Sequence, residues 1–261
     1  MQVTHLALAP NGNSGRFGNQ LFLVASTIGI ALNNNMKYAF PEWKNNIYFK
    51  KKLPQLAPGT GITYSEPSFK YTPVNFTDKQ FVYLSGYFQS PKYFQNYEDT
   101  IRETFEFKDN FINNVKSVLD EAKLGTTCSI HVRRGDYLNY TDIHPQQPAE
   151  YWSSAQKVIE DHENINTYVV FSDDINWCKQ NKQLFNTTGK RVVFMQGRNE
   201  IDDFIGMMYC DHNIITNSTF SWWAAWLNTN KNKAVVMPKL WFGPKGPPDS
   251  TDLQVEGWKI I

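Results

Sequence analysis

The chain has 261 residues, a formal charge of +1, and 41% apolar against 20% charged residues. These are ordinary globular proportions, which exclude a disordered or membrane-embedded chain, and near-neutrality leaves no broad field for DNA or RNA as the main partner. The length suits two modest domains, and no window approaches the apolar length needed to cross a bilayer.

Reading from the N-terminus, residues 3–8 alternate as a strand does, and residues 11–18 form a polar loop carrying Gly12, Gly15 and Gly18. Leu21, Val24, Ala25, Ile28, Ala31 and Leu32 then recur at helical spacing, so the opening reads strand, glycine loop, helix. The glycines are spaced G-x-x-G-x-x-G and not G-x-G-x-x-G, which is poor support for a dinucleotide cofactor. Residues 41–80 lack a sustained period and read as loops and short strands bordering a cleft. Residues 81–84 read as a buried strand, 111–122 as a helix, and Gly125 as the boundary between lobes at 1–124 and 125–261.

The second lobe is regular. Short apolar runs at 128–132, 168–171, 192–195, 213–216 and 234–237 are interspersed with helical patterns at 151–162, 175–184, 201–210 and 218–227. This repetition of β then α predicts a parallel sheet. Three of the runs pass straight into polar clusters: HVRRGDY from His131, FSDD from Phe171 and TNSTFSWW from Thr216. In a doubly wound sheet the carboxyl ends of the strands line one edge, so clusters distant in sequence converge on one site.

Each cluster has its own chemistry. Arg133, Arg134 and Asp136 taken singly could be a structural ion network, but together they ask for an anion. A guanidinium fork grips two phosphate oxygens and stays charged at any physiological pH. Arg133 takes the phosphate first, because alternation puts His131 and Arg133 on one face. Asn217, Ser218 and Thr219 precede a helix, and either cap it or join its amides and Phe220 in cradling a pyrophosphate. Trp222 and Trp223 read as core. Asp173 suits a ribose diol or guanine N1 and N2, whereas Asp174 suits the cap of the following helix. The chain has no Asp-x-Asp motif, so no metal is expected. It also lacks the phosphate-loop, zinc-protease and serine-esterase motifs, and His5, His144, His162 and His212 read as surface or structural.

Cys128, Cys178 and Cys210 are too few and too widely spaced for a disulfide framework or a zinc cluster, which points to a reducing compartment. The N-terminus lacks a basic segment followed by a long apolar stretch, so a cytoplasmic location is expected, and the four Asn-x-Thr sequons carry no weight.

GRFGNQLF from Gly15, GYFQSPKYF from Gly86, HVRRGDY from His131, FSDDINWCK from Phe171 and NSTFSWWAAWLN from Asn217 stand in one order along residues 15–228. In these blocks the sequence resembles the α-1,2-fucosyltransferase family, with Pro91 and Thr216 as small departures. The resemblance implies a GT-B fold, an α/β architecture of two facing Rossmann-like lobes with a cleft between them. It implies transfer of fucose from GDP-fucose to a galactose-terminated glycan acceptor, with inversion and without a metal or other cofactor. Carried over by motif, Arg133 would meet the diphosphate, His131 and Asp173 the nucleoside, and Ser218, Thr219 and Phe220 the phosphates. Arg134, Asn217 and Gly18 join this donor-binding set, and Asn19 would approach the reacting sugar. Asp136 is the first choice of general base, although it could instead orient Arg134 or Tyr137. HVRR is shared with α-1,6- and protein O-fucosyltransferases, so those linkages are the rival enzyme readings. A non-catalytic sugar-nucleotide or glycan-binding module is the rival of another class.

Overall fold

The computed structural model describes residues 2–9, 12, 14–56, 59–77, 81–122 and 124–261, so Asn11 and Asn13 of the glycine loop lie outside it. The chain forms two compact units, Met1–Lys108 with Asp249–Gln254, and Asp109–Pro248 with Val255–Ile261.

In the first unit β1 (Gln2–His5), β2 (Lys37–Tyr38), β3 (Gly61–Ser65) and β4 (Phe81–Ser85) form a parallel sheet in the order β2-β1-β4-β3. The first strand is shorter than the alternation suggests, because residues Leu6–Leu8 close into a 3₁₀ turn. The helix α1 (Phe17–Asn33) follows the glycine loop as the spacing requires. It is apolar on nearly every face and is accordingly interior, with Leu21, Phe22, Val24 and Ile28 fully buried. Its packing is tight enough to demand glycine at one point: a Cβ on Gly29 would lie 2.1 Å from the Tyr93 carbonyl oxygen. Ser26 Oγ donates to the Phe88 carbonyl at 2.8 Å, fixing α1 to the stretch after β4.

Much of the aromatic content is consumed here as core. Phe49 packs against Phe17, Trp43, Phe105 and Phe107 with ring centroids 4.8–6.3 Å away. The Trp43 ring N–H and the Asn45 amide both donate to Gln20 Oε1 at 2.8 Å, and the Gln20 amide donates to the Gly15 carbonyl at 2.9 Å. Part of the 41–80 stretch is thus anchored to the glycine loop. The short helix α2 (Glu98–Thr104) follows.

A C-terminal segment returns to this unit. Asp252, almost fully buried, accepts the Tyr71 backbone N–H at 2.7 Å and pairs with Lys92, while Ser90 Oγ donates to its carbonyl at 2.9 Å.

The second unit begins earlier than residue 125. The helix α3 (Asp109–Glu121) packs on α6 (Glu200–Tyr209), so it belongs to this unit and not to the lobe ending at 124. Six parallel strands, β5 (Thr127–Val132), β6 (Thr167–Ser172), β7 (Arg191–Phe194), β8 (His212–Ile214), β9 (Val235–Met237) and β10 (Lys259–Ile260), are ordered β10-β9-β8-β5-β6-β7. The last of these was not anticipated, since two residues show no period. The connecting helices are α4 (Ala149–His162), α5 (Ile175–Gln180) and α7 (Thr219–Leu227), together with α6. Asn181 folds its amide back to the Trp177 carbonyl at 2.9 Å where α5 stops, short of the expected end. Trp222 and Trp223 are fully buried, in keeping with a core role.

Register decides where the polar clusters fall. His131 pairs with Phe171 and Val132 with Ser172 between β5 and β6, while Ile130 pairs with Ile214 between β5 and β8. The three strands therefore end together, and HVRRGDY, FSDD and TNSTF emerge at one edge of the sheet. Cys128, Cys178 and Cys210 are free and buried. Among the described residues no helix is long and apolar enough to cross a membrane.

His5, at the carboxyl end of β1, is buried; its Nδ1 accepts the Ala7 N–H at 3.3 Å and its Nε2 lies 2.9 Å from the Gly86 carbonyl. Burial lowers its pKa to about 4 from 6.5. The unfolded chain then binds more protons than the folded one between those values, so stability is complete above pH 6.5 and is lost as pH falls toward 4. The expected loss from His5 is roughly 3 kcal/mol. Urea midpoints measured from pH 7 to pH 4.5 should fall steeply for the wild type and less steeply for His5→Asn.

Candidate active site

The site of the second unit is built around Arg133, the first residue past β5. Its Nη2 pairs with Asp136 Oδ1 at 2.5 Å and its Nη1 with Asp173 Oδ2 at 2.9 Å. Asp173 comes from the end of β6, and its other oxygen accepts the Arg134 backbone N–H at 2.9 Å. The approach is close enough to require glycine at position 135, where a Cβ would fall 2.4 Å from Asp173 Oδ2. Two carboxylates thus hold one guanidinium plane, so an anion arriving from solvent meets a fork already oriented. Arg134 is held separately: its Nε pairs with Asp174 Oδ2 at 3.1 Å and its guanidinium carbon lies 3.8 Å from the centroid of the Trp177 ring.

The hydroxyl cluster takes two roles. Ser218 caps α7, its Oγ accepting the Phe220 N–H at 3.4 Å, and Thr219 opens the helix. Asn217 is a brace. Its amide donates to the Pro145 and Trp241 carbonyls at 3.0 and 3.1 Å, and its Oδ1 accepts from Gln147 and Thr216 at 3.2 and 2.9 Å. Two donors and two acceptor positions are then used, which leaves no side-chain capacity for the phosphate first assigned to it. Tyr137 connects the two halves of the site: its hydroxyl donates to the Asn217 carbonyl at 3.2 Å, and its ring lies 5.3 Å from the Arg133 guanidinium. The same ring stacks on His144 with centroids 4.2 Å apart, and burial pushes the phenol up to about 12.

His131 is buried, 5.6 Å from the Phe220 ring, and burial followed by the Arg133 charge brings its pKa down to about 3. It is a neutral imidazole whose Nδ1 has no hydrogen-bond partner among the described residues. Gly18 and Asn19 belong to the first unit, on the opening turn of α1, where Asn19 Oδ1 accepts from the Gln89 amide at 3.1 Å.

His131, Arg133, Arg134, Asp136, Asp173 and Asn217 to Phe220 are thus gathered at one sheet edge. Asp174 caps α5 by accepting the Trp177 N–H at 3.2 Å, the role its position suggested. Asp173 turns one oxygen to the Arg133 guanidinium and the other to the Arg134 amide, a brace that the sequence did not assign to it. Sequence reading passed over Trp177 and the Tyr137–His144 stack. Trp177 lies three residues after Asp174, on the same helical face, which is the one signal that could have found it.

A second group of side chains has the composition of a metal site. His162, Glu163 and His212 bring ligand atoms within 4.8 Å of one another. His212 Nδ1, however, accepts the Ala234 backbone N–H at 3.0 Å, so its hydrogen sits on Nε2, which faces Glu163 Oε2 at 3.1 Å. The lone pair a metal would need points elsewhere. Glu163 and His212 form a structural pair, in line with the reading of His212.

The model of the family described as Glycosyl transferase family 11 matches residues 13–245. The O-antigen biosynthesis glycosyltransferase WbnK of Escherichia coli is 32% identical over 188 residues, covering 67% of this chain and 59% of that protein. Galactoside alpha-(1,2)-fucosyltransferase 1 of Homo sapiens is 29% identical over 238 residues, covering 82% and 64%. The chain spans about three-fifths of the length of these curated relatives. Among solved structures, POFUT1 in complex with GDP aligns with a TM-score of 0.55 at 12% identity over 90% of this chain and 97% of that one. NodZ alpha-1,6-fucosyltransferase soaked with GDP-fucose aligns with a TM-score of 0.54 at 13% identity over 87% and 92%. At such identity these likenesses speak to fold, and they agree with the expected α/β class of the GT-B type. With parallel sheets, an arginine and hydroxyl cluster at the strand ends, and a family match across most of its length, the chain belongs to glycosyl transferase family 11.

Proposed function

We propose that this chain transfers L-fucose from GDP-β-L-fucose to the 2-hydroxyl of a terminal galactoside, inverting the anomeric carbon to form an α-1,2 linkage. The observation that carries the proposal is Arg133, oriented by Asp136 and Asp173 at the strand ends and linked through Tyr137 to the start of α7. Support for the donor comes from the solved fold relatives, POFUT1 in complex with GDP and NodZ soaked with GDP-fucose. Support for the linkage comes from the relative named galactoside alpha-(1,2)-fucosyltransferase 1. The three buried free thiols fit a reducing, cytoplasmic location.

In the reaction the acceptor oxygen attacks the anomeric carbon as the bond from that carbon to the β-phosphate oxygen breaks. The electron pair leaves with GDP, and the hydroxyl proton passes to a base. Loss of GDP leads, so stabilising the departing charge dominates. The two guanidinium charges of Arg133 and Arg134 face three carboxylates, Asp136, Asp173 and Asp174, so arginine alone does not make the cluster cationic. The amides opening α7 supply the rest of the positive potential. Asp173 and Asp174 are each engaged by arginine and by a backbone N–H, which favours an arginine-held site over a metal-held one. Asp136 is the base in this scheme, and its hydrogen bond to Arg133 must loosen for it to take the proton.

A second reading changes only the sugar. The relative named alpha-1,2-colitosyltransferase, from Escherichia coli, is 31% identical over 172 residues, so colitose is the alternative to fucose. An α-1,6 or protein-linked product is separated from both by the linkage itself.

The deciding experiment incubates the chain with GDP-fucose and a panel of galactosides, with and without EDTA, and determines the linkage. An α-1,2 product at equal rate in EDTA is expected, and rescue by magnesium after chelation would end the metal-free scheme. Arg133→Ala should lower kcat by about 10²–10³-fold. Its melting temperature should move little, since both carboxylates it leaves are partly exposed. Asp136→Asn should lower kcat by roughly 10²-fold or more at unchanged GDP affinity. Wild-type rates of transfer and donor hydrolysis in that variant would remove Asp136 as the base.

A further inference from the structure

Arg133 holds Asp136 with Nη2 and Asp173 with Nη1. As the base, Asp136 must release that guanidinium to take a proton, so one side of the clasp opens during turnover. A further contact, independent of the carboxylates, has to keep the fork aimed at the diphosphate while this happens.

The Tyr137 ring is such a contact. It lies 5.3 Å from the Arg133 guanidinium carbon, an attraction between a cation and a ring face that survives the loss of a carboxylate. The ring serves this purpose only while it cannot turn about its own side-chain bonds. Its hydroxyl is tied to the Asn217 carbonyl at 3.2 Å. Its flat side is covered by His144, with ring centroids 4.2 Å apart and planes 13° from parallel.

His144 is itself held in place from elsewhere. Its backbone N–H donates to the Tyr140 carbonyl at 2.8 Å, and the Ile143 and Asp142 carbonyls beside it accept the Gly243 and Lys245 N–H groups at 3.0 and 2.9 Å. The two loops meet so closely that a Cβ on Gly243 would fall 2.4 Å from the Asp142 carbonyl oxygen. On the other side of His144, the Pro145 carbonyl accepts from the Asn217 amide at 3.0 Å. Nδ1 of the imidazole is buried and has no hydrogen-bond partner among the described residues, so ring contact, and not a bond at that atom, sets its position. Burial lowers its pKa, against the pull of Asp136 and with the help of the Arg133 charge. The ring on Tyr137 is thus neutral at pH 7 and brings no second cation against the guanidinium.

We propose that His144 is a positioning residue for leaving-group departure: stacked on Tyr137, it keeps that ring against Arg133 while Asp136 lets go. The inference rests on the GDP-fucose reading, and it gives a part in the reaction to a loop that lies beyond the HVRRGDY block.

The test is a double-mutant cycle read on fucose transfer to a galactoside. His144→Ala should lower kcat roughly 10-fold at unchanged KM for the galactoside, a smaller loss than that of Arg133→Ala because it acts through Tyr137. His144→Phe, which puts a flat ring back on Tyr137, should recover most of that loss. In an Arg133→Ala background, His144→Ala should lower kcat by less than about twofold more, since no guanidinium remains to be placed. A residue that only stabilised its loop would cost the same factor in both backgrounds, and that result overturns the assignment. So does a His144→Phe variant as slow as His144→Ala. Either outcome, found with an active wild type, leaves the donor reading standing. A wild type that transfers no fucose from GDP-fucose to any galactoside overturns both.

Discussion

A guanidinium clasped by two carboxylates is a poor way to gain stability near a surface, since such pairs contribute about 0–1 kcal/mol. What the Arg133 arrangement supplies is direction. Asp136 follows it by three residues, whereas Asp173 arrives from the neighbouring strand, and the clasp forms only because β5 and β6 end in register. Gly135 is small so that Asp173 can approach, and the amide of Arg134 takes the second oxygen of the same carboxylate. The strand ends are coupled to one another by this charge before any substrate arrives, which is the preorganisation that leaving-group stabilisation requires.

Around the clasp, residues that look like ligand contacts serve as braces. Asn217 uses its entire side chain on the loops at Pro145, Gln147 and Trp241, and Ser218 closes the first turn of α7. Such braces keep hydroxyl and amide groups from drifting, and a positional error of about 1 Å near the reacting atoms can lower a rate by a hundredfold. Buried neutral histidines complete the pattern. His5 and His131 are both held uncharged by burial, one supporting the turn at Gly86 and the other beside Phe220. Acid therefore threatens the first unit and the strand-end cluster of the second through the same physical effect.

The sequence by itself carried the β-α periodicity, the glycine loop and α1, the interior place of Trp222 and Trp223, and the convergence of HVRRGDY, FSDD and TNSTF on one edge. These were legible because strand and helix periods are local, and because parallel strands must end on a common side. The cap formed by Asp174 was legible for the same reason, since a helix start is specified within four residues.

Tertiary structure alone decided the rest. Whether Asn217 binds or braces depends on loops more than seventy residues away in one direction and twenty-four in the other. The assignment of α3 to the second unit follows from its packing on α6, and the return of Asp252 to the first unit follows from bonds to Tyr71, Ser90 and Lys92. His144 has no motif to announce it. A ring stack is defined by what lies against it in space, and no spacing along the chain encodes that.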